Sequence, residues 1–345
     1  MADASASFGY RFAGETLASD LRLPSLGRPV GITAKGFSAW NASIDLPAGA
    51  LPLHSWTLPG RADNAYLWLY KDLCEHIIDA PGFGRFAVRG RSLLVDWSRA
   101  TVPAAVAEHF LLNQVLPMFL AQHGRLILHA AAVRVAGACL AFAGETGIGK
   151  STLAAAFAAA GAEVLTDDGV VIGTEQTPMS AAATYRNLRL LPDSLAHFVG
   201  AGTALPAGST VMAKREVALP GQRPRAGRFW PLAAVYFLQH STGSAADVLV
   251  QGLAPREACM RLLGQSFQLD VTNGRTVGRV FAKAAELANA VPCFTLSYPR
   301  VFEGLPEVTS AVLRHSAPWR ERTSAGAGCG TARSRASLAQ SGTAG

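Results

Sequence analysis

Nine residues constrain this chain more than any others: Gly144-Glu145-Thr146-Gly147-Ile148-Gly149-Lys150-Ser151-Thr152. They fit the spacing G-x-x-x-x-G-K-[ST] of a phosphate-binding loop. The glycines let successive backbone N–H groups turn inward onto an anion. Lys150 can then reach the β- and γ-phosphates, and the Ser151 hydroxyl suits Mg²⁺. The flanks have the order such a loop needs. Ala138–Ala143 is an apolar run of strand length. Thr152–Ala160 is a strong helix former, whose N-terminus adds partial positive charge, and Gly161 suits its C-cap. A glycine-rich turn between buried elements is the bland alternative. Against it, basic residues in this chain are nearly all Arg, yet a Lys stands at position 150.

The neighbouring segments carry the next signals. Leu126-Ile127-Leu128-His129 reads as a strand, and Val133–Val135 with Gly137 as a hairpin leading into the strand before the loop. Ala162–Asp168 is expected to be a strand ending in two acids, with Gly169 as the turn and Val170–Ile172 as the return strand. Acids at the end of a buried strand beside a phosphate loop can serve a metal or act as a base. Two acids in a surface turn are otherwise common. His129 taken alone reads more readily as a satisfied core histidine.

Residues 1–100 read as a β-rich domain, with strands at Phe8–Phe12, Ser55–Leu58, Ala65–Tyr70, Arg85–Val88 and Ser92–Asp96. Trp40, Trp56, Tyr66, Trp68 and Tyr70 could line a peptide groove, but alternation into a sheet core is the favoured expectation. Residues 101–315 form the second expected domain. It opens with a linker helix over 102–123 that Pro117 should kink. Further elements are expected at Tyr185–Ser194 (strand, then helix), Leu232–Leu238 (strand), Pro255–Leu269 and Val277–Val291 (helices), Phe294–Tyr298 (strand) and Val308–Leu313 (helix). The stretch 219–229 reads as a loop. Arg189, Lys214 and Arg215 could bind phosphate or an acidic substrate, or be solvated loop charge. Residues 316–345, rich in Ser, Gly, Ala and Arg, are expected to be disordered.

Composition narrows the function classes. Hydrophobic content of 50% against 16% charged residues supplies a sizeable core. The net charge of +7 is mildly basic, but no dense Lys/Arg run with interleaved aromatics appears, so no nucleic-acid partner is expected. Five widely spaced cysteines without a C-x-x-C pair indicate neither zinc nor a disulfide framework, which suits a reducing compartment. Neither a signal peptide nor an apolar run long enough to span a bilayer is read, so the cytoplasm is the expected location and no membrane partner is expected.

The order of these segments resembles the catalytic domain of bacterial HPr kinase/phosphorylase and the shorter HPr kinase-related proteins, including lasso-peptide precursor kinases. The segments that carry it are LHAAAVRVAG, FAGETGIGKSTLAAAFAAAGAEVLTDDGVVI, YRNLRLLPDS and LSYPRVFEGLPEV. It is specific over 126–172 and looser to about Val308. The resemblance implies an α/β fold: a P-loop kinase domain on a mixed sheet related to phosphoenolpyruvate carboxykinase. It implies ATP and Mg²⁺ as cofactors and transfer of the γ-phosphate to a serine hydroxyl of a peptide or small protein. Residues 144–152 would hold the nucleotide, Lys150 its β/γ-phosphates, and Ser151 with Asp168 the metal. Asp167 and Asp168 would supply the base, with its identity open between them, and His129 would lie near the transferring phosphate. Homo-oligomers occur in such families. Glu145-Thr146 and Thr152 depart from the family's usual Asp-Ser and Glu, which counts against the reverse phosphorylase reaction and against HPr as acceptor. Rival readings are a non-catalytic ATP-binding regulator, a kinase of a small alcohol, and, ranked last for want of an N-K-x-D motif, an NTPase motor or GTPase switch.

Overall fold

A computed structural model describes residues 8–32, 36–57, 65–72, 75–175, 177–199, 214–217, 227–240 and 248–338. Leu58 of the expected strand Ser55–Leu58, Cys74, residues 219–226 of the expected 219–229 loop, and residues 339–345 of the expected tail lie outside them. The chain is mixed α/β and divides into two compact units, residues 1–125 with 267–277, and residues 126–266 with 278–345.

The first unit is built on eight strands: β1 (Phe8–Phe12), β2 (Glu15–Ser19), β3 (Phe37–Asn41), β4 (His54–Thr57), β5 (Ala65–Lys71), β6 (His76–Ala80), β7 (Gly84–Arg89) and β8 (Ser92–Asp96). They form one sheet in the order β1-β2-β3-β8-β7-β6-β5-β4. The pairs β2–β3 and β3–β8 are parallel and the rest antiparallel. Alternation decides the faces. Leu67, Leu69, Ile78 and Leu93 are fully buried. The aromatics are only half-buried: Trp40, Trp56, Tyr66 and Trp68 do not fill the sheet core, which corrects the expectation for these four, while Tyr70 packs against a buried cluster of Ile44, Ile77 and Ala87. The aliphatic residues between them on β3 and β5 take that place. Register puts Trp40, Leu94, Ala87, Ile77 and Tyr70 in one row across the second face, where Ile44 and Leu46 join a small cluster.

The helical stretch Ala104–Gln122 belongs to this unit, where the sequence had placed it at the head of the second. It comprises α1 (Ala104–Phe110), a π-helical turn (Leu111–Val115) and α2 (Leu116–Gln122). Pro117 has no N–H to give and its ring would strike the preceding turn of a regular helix. The widened turn just before it accommodates both problems, so the expected kink takes the form of a π-bulge. By length and composition alone this stretch could cross a membrane, contrary to the sequence reading, but 67% of it is buried inside the protein.

The second unit holds β9 (Leu126–Leu128), β10 (Ala130–Val135), β11 (Ala138–Ala143), α3 (Lys150–Ala159), β12 (Glu163–Thr166), β13 (Val170–Gly173) and β14 (Ser180–Ala183). There follow β15 (Arg189–Leu190), α4 (Pro192–Val199), β16 (Arg215–Glu216), β17 (Trp230–His240), β18 (Leu249–Gly252) and α5 (Pro255–Gly264). The last elements are α6 (Gly274–Ala290, entering from the first unit), β19 (Cys293–Tyr298) and α7 (Leu305–Leu338). Nine strands form a mixed sheet with the path β12-β10-β11-β17-β14-β13-β9, and β19 with β18 branches from β17. The β10–β11 hairpin turns through Ala136 (φ 49°) and Gly137 (φ 86°), the geometry of a tight type I′ turn.

Strand β11 is buried on both faces. Cys139, Ala141 and Ala143 point to one core with Val280, Ala284 and Leu287 of α6 and Leu262 of α5. Leu140 and Phe142 point to the other, with Leu153 and Phe157 of α3 and Val308 and Val312 of α7. The result is a sheet between two helical layers, which is why β11 reads as a continuous apolar run.

Two expectations are corrected here. Strand β13 does not return along β12. It pairs with β14 and β9, while β12 pairs with β10. The chain from Ser316 is not disordered as far as Leu338, because α7 runs through it. Ser316 is fully buried, and Trp319 packs on Phe294 at 5.0 Å and His315 at 4.9 Å. An apolar contact far away in sequence thus anchors a segment whose composition alone is polar.

Candidate active site

The topology brings the candidate residues to one edge of the second unit's sheet. Strand β10 is antiparallel to both β11 and β12, so β11 and β12 run the same way and end at the same edge. The end of β11 opens into Gly144, and the end of β12 into Asp167-Asp168. His129 arrives there by register: it immediately precedes Ala130, which pairs with Ala143. Its backbone N–H donates to Gln265 O at 2.7 Å. Strands β17 and β19 are parallel to β11 and its neighbour, so Tyr298 at the end of β19 comes to the same edge. Carboxyl ends of parallel strands are where open α/β sheets bind ligands.

The loop between β11 and α3 needs its glycines. Gly147 (φ 84°) and Gly149 (φ 107°) occupy left-handed backbone that side chains with a Cβ resist. Gly149 is the N-cap of α3, so the first N–H groups of that helix face the loop. Ile148 is buried in the core below and pins the loop down. Glu145, Thr146 and Gly147 are exposed above it. The arrangement can cradle an anion with backbone N–H groups and a helix N-terminus.

Lys150 points back into its own loop, its Nζ donating to Gly144 O at 2.6 Å and Glu145 O at 3.0 Å. Burial and the neighbouring Lys214 ammonium push it down to about 8, against the pull of Asp168, Asp167 and Glu145. Ser151 is shared. Its Oγ accepts from Lys214 Nζ at 2.9 Å, and its hydroxyl bonds Asp167. Asp167 is buried, and its Oδ2 accepts from Arg189 N at 2.9 Å. Burial and the adjacent Asp168 push it up to about 8, opposed by Lys214, the Arg189 N–H and Ser151. Asp168, slightly less buried, has Oδ2 held by Asn187 Nδ2 at 2.8 Å. Asn187 in turn accepts from Thr166 Oγ1 at 3.2 Å and donates to the Tyr185 hydroxyl at 3.0 Å. His129 is pushed down to about 4 by burial and the Lys150 charge, with Asp168 pulling the other way and Lys214 adding to the fall. It is therefore a neutral imidazole at neutral pH. His129, Lys150, Ser151, Asp167 and Asp168 thus form one electrostatic cluster.

A divalent cation fits this donor set. Asp167 Oδ1 is buried without a hydrogen-bond partner, and Ser151 Oγ adjoins the same carboxylate. Hard oxygen donors, one or two of them carboxylate, are what Mg²⁺ takes when it shares its shell with phosphates. Among the described residues, no cluster of three or more His, Cys, Asp or Glu side chains could hold a metal without such sharing.

No protein-family model and no curated protein matches the sequence. Among solved structures, the Hpr(Ser) kinase/phosphatase from Coxiella burnetii is similar at 12% identity and a TM-score of 0.28, covering 56% of this chain and 97% of that one. That likeness is distant and decides neither fold nor reaction.

The sequence alone does not place every residue of the site. It leaves Lys214 open between a phosphate contact and loop charge, and the structure has it reach Ser151 across 63 positions. The short pairing of β15 with β16 carries it in, and its carbonyl accepts from Arg189 Nη2 at 2.7 Å. Arg189 therefore braces Lys214 and Asp167. Asn187 gave no signal beyond its place in YRNLRLLPDS. Arg300 Nη2 donates to Gly147 O at 2.8 Å, tying the chain after β19 to the loop. Cys139 and Cys293 take no part in the site: burial raises each to about 12, leaving inert thiols.

Proposed function

We propose that this protein is a Mg·ATP-dependent kinase that transfers the γ-phosphate to a serine hydroxyl of a peptide or small protein. One observation carries the reading: a glycine loop with a buried lysine stands at the same sheet edge as two buried aspartates, and Asp167 is hydrogen-bonded to the Ser151 hydroxyl of that loop. Phosphoryl transfer asks little covalent chemistry of a protein, and positioning plus charge neutralisation suffice. The loop N–H groups and Lys150 Nζ grip the β- and γ-phosphates. Ser151 and the orphaned Asp167 Oδ1 would hold Mg²⁺, with Asp168 beside them as the sequence implied. When bound, the ion neutralises charge between the β- and γ-phosphates. Asp167 must shed its proton to serve there. Asp168, the more accessible acid, accepts the serine hydroxyl proton while Asn187 fixes its carboxylate. His129, being neutral, hydrogen-bonds the transferring phosphate without adding a charge. The peptide or protein serine as acceptor, a lasso-type precursor peptide among them, is supported by the resemblance over 126–172.

The test is label transfer from γ-labelled ATP to serine-containing peptides. Asp168→Asn should cut the rate roughly 10²–10⁴-fold, the scale of a general base, while nucleotide binding persists. Binding without transfer to any acceptor would leave a regulatory nucleotide-binding protein. Transfer only to small alcohols would keep the chemistry and replace the acceptor.

A further inference from the structure

A cavity of about 250 Å³ opens beside the loop, in the second unit, and the proposed reaction leaves it unused. Its walls come from the loop and first turn of α3 (Gly149, Thr152), the start of α4 (Ser194) and the chain following β19 (Tyr298, Arg300, Phe302). We propose that this cavity holds the nucleoside end of the phosphate donor, with the Phe302 ring as the surface on which the base stacks. The inference rests on the reading of the loop as a phosphate cradle and assigns the part of the donor which that loop cannot grip.

Position is the first argument. Gly149 and Thr152 bracket Lys150 and Ser151, so a polyphosphate lying in the loop meets the cavity at its end. Arg300 of the cavity wall is tied to the loop itself, its Nη2 donating to Gly147 O at 2.8 Å. Tyr298 stands close as well, 3.6 Å from where a methyl group at Gly149 would lie. The cavity and the loop are therefore contiguous.

Size and chemistry are the second. The volume is just under the roughly 300 Å³ at which pockets for drug-sized ligands begin, which suits one base and its sugar and is too small for a peptide segment. Phe302 is backed by His197, whose ring stacks on it at 4.6 Å and 15°. A ring supported from behind is a rigid platform, and base–aromatic stacking tolerates any base. The same lining carries groups suited to a ribose: the Thr152 and Ser194 hydroxyls, 2.9 Å apart, and Asp193.

Two ligands separate this inference from the one beneath it. Inorganic tripolyphosphate reads the loop alone, and ATP reads loop and cavity together. Both are titrated, with magnesium, into the full-length protein and two variants. Phe302→Leu removes the platform; Val301→Trp, at an exposed residue lining the cavity, fills it. The expected result is that ATP binds wild type more tightly than tripolyphosphate does. Phe302→Leu should then weaken ATP roughly ten-fold, the scale of one lost stack, and Val301→Trp at least as much, with tripolyphosphate unchanged in both. ATP affinity unmoved in both variants, or both ligands weakened alike, overturns the proposal while leaving the cradle standing. Failure of wild type to bind tripolyphosphate overturns the cradle and this proposal with it.

Discussion

Asp167 is the residue on which pH acts most directly. Burial first, and then the Asp168 charge, hold its proton on up to about 8 in the folded chain, far above an ordinary aspartate. The folded state therefore keeps a proton that the unfolded chain loses near pH 4. Stability from this group is complete below that value and is lost as pH rises through about 8. Asparagine imitates the protonated side chain and has nothing to lose. Without metal or nucleotide, Asp167→Asn and wild type should melt alike near pH 4, and the variant should gain steadily on wild type toward pH 8. One pKa unit corresponds to about 1.4 kcal/mol, so the gap should reach several degrees. Thermal melts at five or six pH values check it, and parallel curves would mean that Asp167 is ionised throughout. The residue also marks what a sequence can reveal of a site. The loop and the acid pair are visible because each is a short run beside a recognisable strand. Lys214 is visible only as one of several possible charged contacts, and Asn187 and Arg300 only as members of longer segments, because each is delivered by a pairing or turn distant in sequence.

At the scale of elements, the same division between local and distant causes decides what was legible. Helix α3 and the β10–β11 hairpin follow from alanine-rich propensity and from a two-residue turn, and both stand where the sequence puts them. Strand β2 has alternating but unremarkable residues, Glu15-Thr16-Leu17-Ala18-Ser19, and exists because β1 and β3 flank it. The partner of β13 is likewise a matter of sheet order, which a turn at Gly169 does not specify. Helix α7 is the sharpest case. From Ser316 it has the composition of an unstructured tail, yet among the described residues Trp319 packs on Phe294 and His315, and Ser316 is fully buried with a hydrogen bond to Tyr236. Trp319→Ala should therefore cost about 1–3 kcal/mol, the value of a partly buried aromatic. Urea unfolding of the second unit, followed by far-ultraviolet circular dichroism, measures it. A neutral substitution would mean that the helix beyond Ser316 adds nothing to the fold.

At the scale of the whole molecule, the chain is not two consecutive domains. Residues 267–277 return to the first unit after most of the second has been laid down. The reason is chemical. Asp270 is fully buried at its side chain and takes Lys71 Nζ and His76 Nε2 on Oδ2, each at 2.9 Å. Its Oδ1 accepts from Thr272 N at 2.9 Å and Thr272 Oγ1 at 2.6 Å. Burial by itself would raise this acid, but the hydrogen bonds from Thr272, His76 and Lys71 outweigh it and hold the carboxylate well below its usual range. A depressed carboxylate stabilises the folded chain above its unfolded pKa and stops doing so only in strong acid. Asp270→Ala should thus destabilise the first unit at neutral pH by about 1–3 kcal/mol, the cost of leaving buried partners unsatisfied, with the penalty fading only in strong acid. Four of the six tryptophans, Trp40, Trp56, Trp68 and Trp97, lie in that unit, so their fluorescence during denaturant unfolding of the full chain reads the effect. A fragment ending at Arg125 lacks Asp270 altogether and should unfold at lower denaturant than the same unit in the intact chain. If the fragment and the intact unit unfold together, Asp270 is a surface tether and the units are separable at residue 125 after all.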